Sequence, residues 1–204
     1  MAKIATFELT DAISGELQTV ELWDSIEARH REDLELRWPA ALADLKSRMP
    51  QGHREESSHW NWPDKLDRSD GVIGRQAYVI EWGNATQAVM LVDLNKASRI
   101  RASQGESIVY VDYVQTAPWN WKRPWQPNPR FSGLGTIMLQ VAIQLSLDLD
   151  FDGRIGLHSL PQSEDFYRRR GMTEFWRDPD YNCLSYFEMT ASQAANLLSN
   201  GGVQ

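Results

Sequence analysis

The chain has 204 residues, of which 42% are hydrophobic and 24% charged, with a formal net charge of −7. That suits one globular domain over 1–204, burying about 70% of its unfolded surface, and offers no overall basic field for a nucleic-acid partner. No apolar run approaches the ~20 residues that span a bilayer, the amino terminus lacks the basic and apolar regions of a signal peptide, and the single Cys183 excludes an intramolecular disulfide framework, so the sequence reads as cytoplasmic with no membrane partner.

In chain order, Lys3 to Leu9 is an apolar-rich run that predicts a first strand. Over 17–36, Leu22, Trp23, Ile26 and Leu34 fall near helical spacing among charges, which predicts an amphipathic surface helix. A second helix is predicted from Pro39, with Leu42, Leu45 and Met49 on one face and Pro50-Gln51-Gly52 as its stop. Residues 51–71 are polar and interrupted, with Trp60-Asn61-Trp62-Pro63 inside them. Val72 to Trp82 and Ala85 to Leu94 read as strands joined by a Gly83-Asn84 hairpin turn, and Asn95 to Glu106 as a loop.

The stretch from Ser107 to Met138 organises the chain. It reads as an alternating strand, a Trp-rich loop, then Arg130-Phe131-Ser132-Gly133-Leu134-Gly135 opening into a strongly apolar helix. Gly133 and Gly135 let the backbone turn tightly and let an anion approach the main-chain N–H groups that a first helical turn leaves unpaired. Dipole and donors then act together on a phosphate, and Arg130 adds a cation at the mouth. This helix carries Met138, Ala142, Leu145 and Leu149 at helical spacing, and Asp148, Asp150 and Asp152 predict its end near Leu147. Arg154 to His158 follows as a strand. Ser159 and Gln162 fit a capping box for a helix over 160–170, stopped by Gly171. Thr173 to Trp176 and Leu184 to Met189 are the last strands, and Ala191 to Leu198 a terminal helix.

The pattern R-x-x-G-x-G at 130–135, after a strand ending Val114-Gln115-Thr116-Ala117-Pro118, resembles the signature of the GNAT superfamily of CoA-dependent N-acetyltransferases. A second stretch, Ser163-Glu164-Asp165-Phe166-Tyr167-Arg168-Arg169-Arg170-Gly171-Met172, resembles that family's short helix A-x-x-L-Y-x-x-x-G-F: Tyr167 and Gly171 match, while Ser163, Phe166 and Met172 replace the usual residues. The resemblance covers roughly Val72 to Met189. It implies an α/β (α+β) GNAT fold, a mixed central sheet of about seven strands flanked by helices in the order β-α-α-β-β-β-α-β-α-β-β.

The resemblance also implies acetyl-CoA as acyl donor, with no metal. Val114 and Thr116 would meet the pantetheine through their backbones. Arg130, Phe131, Ser132, Gly133, Leu134, Gly135 and Thr136 would surround the pyrophosphate, and Ser163 would join them. Phe131 departs from the glycine common at its position. Tyr167 is the candidate acid for the departing thiolate. Asp112 is the only carboxylate within the organising strand and the candidate base, directly or through water; a backbone carbonyl or a water chain stays open.

The loop from Trp119 to Pro129 is long for that family and carries Trp119, Trp121 and Trp125 beside Lys122 and Arg123. With Trp60-Asn61-Trp62 it could form an aromatic acceptor wall for a flat, apolar or cationic substrate; loop packing or a dimer contact are the alternatives. Arg168, Arg169 and Arg170 read either as a basic spot or as dipole partners at a helix end. His30, His53, His59 and His158 match no common metal spacing. The function read here is N-acetylation of a primary amine on a small-molecule or peptide acceptor. Rivals are a non-catalytic acyl-CoA-binding or protein-interaction scaffold and an enzyme using a larger acyl-CoA; a homodimer stays open.

Overall fold

A computed structural model of the protein describes residues 3–126 and 128–200. In chain order it forms β1 (Lys3–Thr10), β2 (Leu17–Trp23), α1 (Ala28–Glu32), a π-helical turn (Asp33–Arg37), α2 (Trp38–Arg48), α3 (Trp62–Ser69), β3 (Arg75–Trp82), β4 (Ala85–Ala97), β5 (Ser107–Thr116), α4 (Leu134–Asp148), β6 (Ile155–Ser159), α5 (Glu164–Arg169), β7 (Thr173–Asp178), β8 (Leu184–Met189) and α6 (Ala191–Asn200). The strands make one eight-stranded sheet in the order β1-β2-β3-β4-β5-β6-β8-β7. It is mixed, β5 and β6 being parallel while β1/β2, β2/β3, β6/β8 and β7/β8 are antiparallel. The architecture is the expected α/β sheet flanked by helices, with eight strands rather than about seven. No helix among the described residues is long and apolar enough to cross a membrane.

The packing divides into two units. The first holds the chain up to Val72, together with Gln76–Leu91 and Val114–Gly135. Here the expectation of a helix over 17–36 is corrected: Leu17–Trp23 is the extra strand, paired with β1 from Thr10↔Leu17 to Lys3↔Trp23. Its burial alternates, Val20 and Leu22 inward and their neighbours more exposed, and Asp11 Oδ1 accepts the Ile13 N–H at 3.0 Å to start the connecting turn. Leu22 and Ile26 only mimicked a helical repeat, since the strand ends at Trp23 and the helix begins at Ala28.

The two expected helices around Pro39 are joined by the π-helical turn. Proline lacks an N–H and its ring crowds the carbonyl of residue i−4, so a widened turn just ahead of Pro39 accommodates it. The same turn buries Asp33, whose Oδ2 accepts the Thr86 N–H at 2.6 Å, while the indole Nε1–H of Trp38 donates to the Thr86 carbonyl at 3.0 Å. Sequence reading missed α3, although Asn61 caps it by accepting the Asp64 N–H and Pro63 occupies its first turn. The hairpin at Gly83 and Asn84 has φ of 57° and 56°, as a type I′ turn requires.

The second unit holds Ile73–Arg75, Val92–Tyr113 and the chain from Thr136 onward. Ile108, Tyr110 and Tyr186 form a buried cluster there, with Phe175 and Tyr181 packed against it. The Ser159 Oγ–H donates to the Leu160 carbonyl at 2.9 Å, and the helix expected over 160–170 is divided into a 3-10 turn at Pro161–Ser163 and α5. Gly171, at φ 81°, stops that helix as expected.

Asp33→Ala removes the acceptor of a buried N–H. We expect a loss of about 1–3 kcal/mol, read as a lower urea midpoint at unchanged m-value; an unchanged midpoint refutes the role given to the π-helical turn.

Candidate active site

In the first unit, the turn before α4 is held from several sides. Gly133 sits at φ 88°, a conformation in which a Cβ is strained, so the bend requires glycine. The α4 helix starts at Leu134, and its first-turn amides have no intrahelical acceptor. Phe131 is buried as core, and its N–H donates to Asn120 Oδ1 at 2.9 Å. That amide is therefore spoken for, and the donors left to the turn begin at Ser132.

Arg130, expected as a fixed cation at the mouth, is held by two partners. Its Nη2 lies 2.9 Å from Asp11 Oδ2, and its guanidinium carbon sits 4.3 Å from the centroid of the Trp82 ring. Burial alone would raise the Asp11 carboxyl. Hydrogen bonds from Arg130 and from the Ile13 N–H, together with the Arg130 charge, instead hold it below the ordinary carboxylate range. Arg130 braces the turn against the β1–β2 connection.

The tryptophans divide. Trp121 is 7% exposed, and its Nε1–H donates to the Thr116 carbonyl at 2.8 Å. This bond pins the loop to β5. Trp119 donates to Gln87 Oε1 at 2.9 Å. Trp125 stands edge-on to His53 with ring centroids 4.2 Å apart. Beside Val114 and Thr116, Gln115 accepts from the Trp62 indole and donates to Ser57 Oγ at 2.9 Å, so this end of β5 is anchored by the segment before and within α3.

In the second unit, β5 and β6 form a parallel ladder over Val109↔Ile155 to Val111↔Leu157. It goes no further at Asp112 and Tyr113, while His158 and Ser159 of β6 continue pairing with β8. Among the described residues the β5–β6 register ends at Val111↔Leu157. Asp112 lies at this point, its Oδ2 3.4 Å from Arg75 Nη1, and Arg75 Nη2 is 3.7 Å from Asp93 Oδ2.

Tyr167 projects from α5 and is buried, with its ring against Phe166 and Phe187. Its hydroxyl has no hydrogen-bond partner among the described residues, and burial raises its pKa above the ordinary phenol value, so it keeps its proton at neutral pH. Ser163 begins α5. At the first turn of α4, Thr136 Oγ1 accepts from Arg170 Nε at 2.9 Å. The three arginines of this run thus differ. Arg168 is caged by Glu164, Asp165 and Glu174. Arg169 is exposed, and Arg170 has no carboxylate partner among the described residues. Sequence reading treated the run as one.

His158 is a satisfied structural histidine. Its Nδ1 meets the Tyr110 hydroxyl at 2.8 Å and its Nε2 meets Asp178 Oδ2 at 3.1 Å, which the neutral ring fulfils by donating from Nε2 and accepting at Nδ1. Burial and the nearby Arg99 and Lys96 charges lower its pKa, against the hydrogen bond that its Nε2–H donates to Asp178. Among the described residues no group of three or more His, Cys, Asp or Glu could hold a metal ion.

Among solved structures, the GNAT domain of S. lividans PAT matches with a TM-score of 0.55 at 13% identity, covering 91% of this chain and 95% of that one. A GNAT-family acetyltransferase from Listeria monocytogenes matches with 0.51 at 13% identity over 92% and 99%. An acetyltransferase from Thermus thermophilus matches with 0.50 at 13% identity over 83% and 96%. No protein-family model matches the chain, and no curated protein matches it. The chain therefore has the GNAT acetyltransferase fold, in the element order and with the glycine-bent turn described above.

Asp11 contributes stability that is present above about pH 3.9 and is lost as pH falls through its depressed folded value. In Arg130→Gln burial acts on that carboxyl against the Ile13 N–H alone, without the arginine charge. Acid unfolding followed by circular dichroism should move to higher pH; an unmoved midpoint means that the pair does not brace the turn.

Proposed function

We propose that the protein is an acetyl-CoA-dependent N-acetyltransferase acting on a primary amine. The observation that carries this reading is the turn at 130–135, where Gly133 at φ 88° delivers the chain into α4 with first-turn amides lacking intrahelical acceptors, in a chain of GNAT fold. These donors, from Ser132 to Thr136, suit a diphosphate, and Arg170 at Thr136 adds a cation without a carboxylate partner among the described residues. An amide-bearing arm would pair with β5 main-chain groups at Val114 and beyond, past the end of the β5–β6 register at Val111.

The chemistry then falls to two side chains. The acceptor amine forms the new C–N bond at the thioester carbonyl carbon, and the C–S bond breaks. Tyr167 gives its proton to the departing sulfur and recovers one from solvent. Asp112 takes the proton shed by the amine, directly or through water, with Arg75 holding its carboxylate in place. Phe131, with its amide given to Asn120, serves as the buried peg under the turn.

Calorimetric titration with acetyl-CoA tests the donor site. Micromolar-range binding to the wild type, lost in Gly135→Glu and weakened about tenfold in Arg170→Ala but not in Arg169→Ala, is the expected pattern; no binding to the wild type makes the donor site vestigial. Tyr167→Phe should lower turnover on the order of a hundredfold at unchanged acetyl-CoA affinity. Equal rates would remove Tyr167 from the reaction.

A further inference from the structure

Where α2 ends, the first unit opens a second concavity. A cleft of about 460 Å³ is lined by Lys46, Met49, Pro50, His53, Arg54 and His59, with Ser58 and Glu55 completing it. This volume falls within the range of small-molecule sites, roughly 300–1,000 Å³.

The charge around it is unbalanced. Glu55 is the acid of the group, and its side chain is fully buried. Both of its oxygens are committed to Arg123, at 2.6 and 2.8 Å, and one also meets His53 Nε2 at 3.3 Å. It therefore neutralises Arg123 and leaves nothing for the cations at the rim. Lys46, Arg54 and His59 are exposed, and none has a carboxylate partner among the described residues. The contrast with neighbouring Arg48 is direct, since Arg48 is paired with Asp44 at 2.7 Å. In a chain of net charge −7, solvated cations are ordinarily drawn to one of the many acids; here they converge on a cleft.

The floor is tied to other segments of the first unit, as a preorganised site requires. Glu55 is clamped by Arg123 of the Trp-rich loop, whose backbone pairs with Gln126 in both directions at 2.9 Å. Trp125 packs on His53, and Ser57, between Glu55 and Ser58, is tied to Gln115 of β5. Met49 and Pro50 supply an apolar wall for a short carbon body.

We infer that this cleft is a binding site for a small organic anion bearing carboxylate or phosphate groups, held by Lys46 and Arg54 with His59 at the rim. The site needs neither Tyr167 nor the turn before α4, so it stands or falls independently of the transfer reaction.

The test is ¹⁵N NMR titration of the full chain, without acetyl-CoA, at constant ionic strength, using inorganic phosphate in one arm and citrate in the other. At least one probe should give saturable shifts centred on residues 46–59, distinct from shifts at 132–136 that would report the turn. The Lys46→Glu/Arg54→Glu variant should weaken that binding at least about tenfold, while Arg101→Glu/Arg169→Glu, an equal charge change elsewhere, should leave it unaltered. Lys46→Gln/Arg54→Gln gives a milder replacement should the charge reversal unfold the chain. No saturable shift at 46–59 with either probe, or equal weakening in both charge-reversal variants, overturns the inference.

Discussion

A carboxylate buried as deeply as Asp11, 2% exposed, is tenable only with a cation and hydrogen bonds to replace its lost water. That requirement ties together parts of the first unit that are far apart in sequence. Asp11 terminates β1, accepts the Ile13 N–H that turns the chain toward β2, and holds Arg130. Arg130 lies on the Trp82 ring at the end of β3 and returns its carbonyl to the Ala12 N–H at 2.9 Å. Glycine permits the bend at Gly133, and the Asp11–Arg130 ion pair, the Trp82 ring and the Phe131 peg position it. A site that binds through backbone amides needs this, because amides confer affinity only when their directions are fixed beforehand.

The second unit meets the same constraint with a longer chain of partners. Tyr110, His158, Asp178 and Arg99 are linked in sequence, with Tyr181 stacked on the imidazole at 3.8 Å. Glu188, fully buried, is satisfied by Ser98, the Arg99 N–H and the Tyr186 hydroxyl. These contacts mark the group as scaffold. Tyr167 differs: its ring is buried against Phe166 and Phe187, and its hydroxyl has no hydrogen-bond partner among the described residues. Burial keeps the proton on that oxygen at neutral pH, the state that the proposed reaction asks of its acid.

The features legible in the sequence were those whose cause is local. The β3–β4 hairpin follows from Gly83-Asn84, the stop of α5 from Gly171, and the bend before α4 from Gly133, each being a backbone demand that one residue type answers. Features decided by distant partners could not be read this way. Leu17–Trp23 carries apolar residues compatible with either period, and pairing with β1 decides for the strand. Arg130 reads as a cation at the mouth, but what fixes it there is Asp11, 119 positions away. Arg168 and Arg170 are indistinguishable in sequence, yet one is enclosed by three acids and the other reaches Thr136. The α3 helix is a different case: Asn61 and Pro63 were a sufficient local signal, obscured by the polar residues around them.

The two anion sites proposed for this acidic chain would act by different physics. The turn before α4 offers main-chain donors and a helix dipole, whose strength rests on geometry and falls off within the first helical turn. The cleft beside α2 offers side-chain cations in open water, where attraction is screened over about 8–10 Å at ordinary salt. Rising ionic strength should therefore act strongly on the cleft and weakly on the turn, because fixed short hydrogen bonds lose little to mobile ions. Where backbone amides do the holding, a surface of net charge −7 costs an approaching anion some association rate but little residence time. That division lets one acidic protein keep an anionic ligand without the basic surface that would also attract nucleic acid.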